Sequence, residues 1–133
     1  PPEEAGILIR AAKKNSIATI FFISPTSTRE RIKLVSRVST GFIYYVSLTG
    51  VTGERRSLPV DIIKKLRSLK KTCKKPVCVG FGISTPAQVR AVSRASDGVI
   101  VGSAIVKAVE KNLNNPGLVK SVSGFVKKLT ANL

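Results

Sequence analysis

Short apolar runs alternate with amphipathic stretches along the whole chain. Residues 17–24, 42–48, 76–80 and 99–101 are dense in Ile, Val, Phe and Tyr. Runs of this kind, without polar alternation, predict buried strands of a parallel sheet. Between them, apolar residues recur at three- and four-residue spacing, which predicts helices. The first covers about residues 2–14, with Ala5, Leu8, Ile9 and Ala12 inward and Glu3 and Glu4 complementing the dipole at its start. The second follows a capping box at Ser27 and Glu30 and runs to about residue 39, with Ile32, Val35 and Val38 inward. A third spans residues 59–72, with Leu58, Ile62, Leu66 and Leu69 as its stripe. Residues 86–96 follow, facing inward through Val89, Val92 and Ala95. Residues 103–112 make a short helix, and residues 118–129 a last one carrying Leu118, Val122, Phe125 and Leu129 on one face.

The order is one helix, then four strand–helix units, with an extra short helix after the last strand. Such alternation implies an α/β fold with parallel strands and right-handed crossovers. The spacing fits a (β/α)8 barrel, of which four strands make half of the eight needed for closure. We therefore expect a single domain over residues 1–133, built as a half-barrel.

Two strand-to-helix junctions carry the candidate chemistry. In Val79-Gly80-Phe81-Gly82-Ile83-Ser84-Thr85-Pro86, the glycines permit tight turning and close approach of a ligand. Ser84 or Thr85 can cap the helix that Pro86 opens. The second junction is Val99-Ile100-Val101-Gly102-Ser103-Ala104. Each is expected to leave free N–H groups at a helix start, suited to an anion such as phosphate. A short Gly-x-Gly alone is a weak signal. Barrel phosphate sites use the last two βα loops and a short extra helix, which is the arrangement these junctions predict.

Composition narrows the chemistry. Histidine is absent and only Cys73 and Cys78 carry thiols. This excludes His-containing zinc sites and the Ser-His and Cys-His nucleophile pairs. Cys78 falls in a strand and reads as a small buried apolar residue. The seven carboxylates are Glu3, Glu4, Glu30, Glu54, Asp61, Asp97 and Glu110, and none stands at a predicted strand end beside a partner for acid–base work. The net charge is +16. Its densest run, Lys64, Lys65, Arg67, Lys70, Lys71, Lys74 and Lys75, shares a helix with an apolar stripe, so most of it is a solvated face. Aromatic residues fall in strands, leaving no stacking platform, which argues against a nucleic-acid partner. The apolar runs are too short for a bilayer and the polar start is unlike a signal peptide, so a cytoplasmic location without membrane association is expected.

Four stretches together resemble the tryptophan synthase alpha subunit. They are Gly41-Phe42-Ile43-Tyr44-Tyr45-Val46-Ser47; Thr49-Gly50-Val51-Thr52-Gly53; Pro76-Val77-Cys78-Val79-Gly80-Phe81-Gly82-Ile83-Ser84; and Asp97-Gly98-Val99-Ile100-Val101-Gly102-Ser103-Ala104-Ile105-Val106-Lys107. Residues 1–4 and 11–14 are similar to the family's fourth helix. The resemblance covers essentially the whole chain and about the C-terminal half of a TIM barrel.

It implies a carbon–carbon lyase of tryptophan biosynthesis that splits indole-3-glycerol phosphate into indole and glyceraldehyde 3-phosphate. No cofactor is implied for this chain; pyridoxal phosphate belongs to a partner beta subunit. By motif matching, Gly53, Gly82, Gly102 and Ser103 would bind the substrate phosphate. Tyr44 would sit beside the substrate, Phe81 would help form its apolar pocket, and Thr52 would support the closing loop. The family's catalytic glutamate and aspartate lie in the other half of the barrel, so this chain alone is expected to be inactive. The competing expectation is a non-catalytic half-barrel that binds phosphate or assembles with itself or with the missing N-terminal half, because two open sheet edges demand cover.

Overall fold

The computed structural model describes residues 1–46, 60–80, 82–131 and 133, with Val60 and Asp61 described through their backbone only. Strands β1 (Phe21–Ile23), β2 (Ile43–Val46), β3 (Val77–Gly80) and β4 (Gly98–Ile100) form one parallel sheet in the order β1-β2-β3-β4. The helices are α1 (Gly6–Lys14), α2 (Arg29–Val38), α3 (Val60–Thr72), α4 (Pro86–Ser93), α5 (Ser103–Glu110) and α6 (Leu118–Thr130). This is the expected order of elements.

One face of the sheet is covered. Phe21, Ile23, Ile43, Tyr45, Val77 and Val79 join a single core with Val35 of α2, Leu66 of α3, Val92 of α4 and Leu129 of α6. Successive strand residues face opposite ways, so Phe22, Tyr44 and Cys78 belong to the other face. There, Phe22 is 61% exposed while Tyr44 and Cys78 are half-buried. The strands are thus buried on one face rather than both. A doubly wound sheet carries helices on both faces, whereas one-sided cover with strands in sequential order is the wall of a (β/α) barrel.

Several local expectations are corrected. Helix α1 begins at Gly6, because residues 2–5 form turns and Glu3 is drawn into an ion pair with Arg31 of α2. Leu8 is 62% exposed; α1 turns Ile9 and Ala12 inward, with Ala5 at its N-cap packed against the core. The capping box at Ser27 does not form. Thr28 is the N-cap of α2, accepting from the Arg31 amide at 3.2 Å. The Ser27 hydroxyl instead accepts from the Ser24 amide at 3.0 Å, closing the turn after β1. Strand β1 starts only at Phe21. Before it, Thr19 is occupied by a bend: its amide donates to the Thr40 hydroxyl at 2.8 Å, and its carbonyl accepts from the amides of Thr40 and Gly41.

Two features hold β3 and β4 in place. At the entry to the pair, Asp97 accepts from the Val77 amide at 2.9 Å and from Lys70 Nζ at 2.7 Å. Its own amide donates to the Val77 carbonyl at 2.9 Å. On the open face, glycines accept bulky neighbours. A Cβ on Gly98 would lie 2.7 Å from Cys78 Sγ, and one on Gly80 would overlap the Tyr44 ring and hydroxyl.

Gly80→Ala should therefore cost about 1–3 kcal/mol through forced displacement of Tyr44. In a Tyr44→Ala background the same change should be close to neutral, and additive costs in urea denaturation would count against the contact. Asp97→Ala should cost about 1 kcal/mol at neutral pH after allowance for solvent screening. The Lys70 ammonium and then the Val77 amide hold the Asp97 carboxyl below its ordinary value of 3.8. Its contribution is therefore present above that value and fades as pH falls through the lowered one. Thermal melts of wild type and Asp97→Ala should differ at pH 7 and draw together in acid.

Candidate functional site

Gly80 pairs with Ile100 across β3 and β4. Gly82 and Gly102 each lie two residues beyond those partners, so the pairing brings both glycines to the same end of adjacent strands. Gly82 has φ +39, a left-handed conformation that favours glycine. Gly102 is the N-cap of α5. Gly82, Gly102 and Ser103 are all exposed, and a Cβ built on either glycine would meet open space.

The start of α5 is suited to an anion. Gly102 offers no side-chain cap, and the first turn holds no acidic residue. The first bonds back to the Gly102 carbonyl come from the amides of Ile105 and Val106. The amides of Ser103 and Ala104 precede them, at the positive end of the helix dipole. Helix α4 differs, against expectation. Thr85 and Gln88 close it with a capping box, and Gln88 Oε1 accepts from the amides of Ser84 at 2.9 Å and Thr85 at 3.2 Å. The glutamine has taken the Ser84 and Thr85 amides, and the Thr85 hydroxyl the Gln88 amide, so this helix start is capped by its own side chains, unlike that of α5.

Below these turns runs the open face of the sheet. Phe22 and Tyr44 stack with ring centroids 5.2 Å apart and planes tilted by 54°. Tyr44 lies over Gly80, and Cys78 over Gly98. Burial, and then the charge of Asp97, raise the Cys78 pKa, so its thiol stays neutral and serves as packing. Phe22 is the residue that sequence reasoning missed here. Alternation within the Phe-rich run, applied to a sheet with one open face, would have assigned it to this wall.

Thr52, Gly53 and Phe81 lie outside the described residues, as does Glu54. Among carboxylates with described side chains, Glu3 pairs with Arg31, Glu30 lies in the first turn of α2, Asp97 sits at the entry to β4, and Glu110 ends α5. Glu4 is in the turns before α1. None of them stands in the turns that carry Gly82 and Gly102.

The sequence model of the tryptophan synthase alpha chain matches residues 1–131. The tryptophan synthase alpha chain of Geotalea daltonii is 47% identical over 111 residues, covering 84% of this chain and 42% of the relative. That of Dehalococcoides mccartyi is 45% identical over 133 residues, covering all of this chain and 51% of its own length. Among solved structures, the tryptophan synthase α2β2 complex of Pyrococcus furiosus superposes with a TM-score of 0.84 at 32% identity, over 98% of this chain and 52% of the other. An Aquifex aeolicus protein reaches 0.79 at 36% identity, over 100% and 47%. The chain thus spans about half the length of the relatives it matches. Its motifs, one-sided parallel sheet and near-complete match establish that it belongs to the tryptophan synthase alpha chain family, enzymes of tryptophan biosynthesis with the TIM-barrel fold.

Proposed function

We propose that this chain is the phosphate-binding half of a lyase that cleaves indole-3-glycerol phosphate to indole and glyceraldehyde 3-phosphate. The observation that carries the reading is the pairing of Gly80 with Ile100, which aligns Gly82 with the uncapped start of α5. The amides of Gly82, Gly102 and Ser103 and the Ser103 hydroxyl then hold the phosphate dianion. Gly53 adds a further donor, a role that rests on its motif match to the family alone. Tyr44 flanks the substrate, Phe81 walls its apolar ring, and Thr52 steadies the loop over it. Binding of this kind orients the substrate and shields it from water. Bond cleavage is acid–base work and takes its carboxylates from the other half of the barrel.

The reaction uses no cofactor of its own. A beta subunit holding pyridoxal phosphate is the partner, a reading supported by the α2β2 assembly of the Pyrococcus furiosus relative. The open face favours an accompanying role in assembly. Covering a side chain such as Phe22 is worth about 1.5–3 kcal/mol, and β1 and β4 are both sheet edges. The complementary half-barrel covers face and edges together; a second copy of this chain is the alternative.

Titration with glycerol 3-phosphate should move the amide signals of Gly82, Gly102 and Ser103 in a saturable way, and unmoved signals would remove the site. The chain alone should release no indole from indole-3-glycerol phosphate; measurable turnover would contradict the division of labour. Sedimentation at rising concentration should show association, and a stable monomer throughout would argue against the role in assembly.

A further inference from the structure

Helix α6 carries two stripes, and only one of them is used. Phe125 and Leu129 join the core. Val119, Ser123, Val126 and Thr130 form the other stripe, and all four are exposed, Val119 by 74% and Val126 by 36%. Their alternating spacing of four and three residues aligns them along the helix, about a quarter turn from the core stripe. Helices α4 and α5 pack against α6 and leave this shoulder open. Spacing of this kind, with valines at every seventh position, is the seam of a helix pair of which one member is present. Helix α6 follows β4, which is an edge of the sheet, so the shoulder belongs to the side of the fold that lacks cover.

The charge beside the seam has one sign. Lys120 and Lys127 stand next to Val119 and Val126, at the flanking positions where paired helices match their charges. Helix α6 contains no carboxylate. The ion pairs among the described residues join Arg31 to Glu3 and Lys70 to Asp97, so neither takes a lysine of α6. A helix seated here keeps apolar residues against Val119 and Val126 and meets the two lysines with carboxylates. A second copy of this chain offers no such helix. Helices α1, α4 and α6 have no carboxylate, and α2, α3 and α5 have one each. Two copies at +16 also repel each other.

We propose that the open shoulder of α6 is the seat of an acidic amphipathic helix, supplied by the half-barrel that closes the sheet beyond β4. Val119 and Val126 supply the apolar contact, and Lys120 and Lys127 select the charge of the partner. The proposal rests on the assembly reading above and names the chemistry of that partner. It shares no residue with the turns at Gly82 and Gly102, so it stands apart from the phosphate site.

The probe is a synthetic amphipathic helical peptide with Leu along its seam and Glu at the flanking positions, titrated into the full chain. A matched peptide carries Lys in place of Glu. Saturable shifts are expected at the amides of Val119, Ser123 and Val126 with the Glu peptide, and binding about tenfold weaker with the Lys peptide. Val119→Asp should weaken the Glu peptide about tenfold, and its exposure leaves the fold intact, as a thermal melt will show. Lys120→Glu together with Lys127→Glu should reverse the preference between the peptides. Lys64→Glu with Lys71→Glu makes the same change of net charge on α3 and should leave the preference as it was. Equal affinity for the two peptides, or a preference untouched by Lys120→Glu with Lys127→Glu, would overturn the proposal even in a chain that associates on sedimentation. The same amide shifts on concentrating the chain alone would assign the seam to a second copy and overturn it too. So would equal shifts with phosphatidylglycerol vesicles, which would assign the seam to an anionic lipid surface.

Discussion

The register between β3 and β4 is the constraint on which the rest depends. Asp97 fixes it from the entry side by taking the Val77 amide and the Lys70 ammonium at once. One carboxylate therefore ties the end of α3 to the beginning of β3 and the approach to β4. The strands run in parallel from that clamp, and Gly80 meets Ile100 at the far end. A slip of one residue would turn Val79 out of the core and Cys78 into it. It would also separate the levels of Gly82 and Gly102. The contact that matters for the candidate site thus lies at the opposite end of the sheet from it.

Glycine is used on this sheet as space for a neighbour. Tyr44 crosses above Gly80, and Cys78 sits against Gly98. Each glycine lets a larger side chain of the preceding strand lie flat on the open face. Gly80 therefore has two roles, since it admits Tyr44 and begins the turn to Gly82. Gly98 has a packing role, although it sits in an Asp-Gly pair that reads as a turn. The aromatic pair Phe22–Tyr44 continues the same surface toward β1.

The order and type of every element were legible in the chain, because apolar runs and helical stripes alternate cleanly. The stripe of α3 through Ile62, Leu66 and Leu69 is buried as its spacing requires, with its lysines outside. Element ends were less legible, because side-chain hydroxyls choose among nearby amides. Ser27 and Thr28 both stand before α2, and only the turn after β1 decides that Thr28 caps the helix. The same competition explains α4, where Gln88 occupies donors that the Gly-x-Gly motif suggested were free. Tyr45 was read with its strand, yet its buried hydroxyl depends on α2 and α3 packing around it, which no local pattern encodes.

One-sided burial joins these observations. A parallel strand is ordinarily apolar on both faces because both are covered. Here the strands keep that composition while helices cover one face, so Phe22 stands 61% exposed. Such a surface disfavours an isolated chain and favours whatever closes over it. The family barrel supplies a closure that buries the wall and pairs the edges of β1 and β4 together. Cover for the open face and partners for the sheet edges would then come from the same contact. The proposed phosphate site draws on the turns at Gly82 and Gly102, next to paired strands of this chain, and so would not wait on that contact.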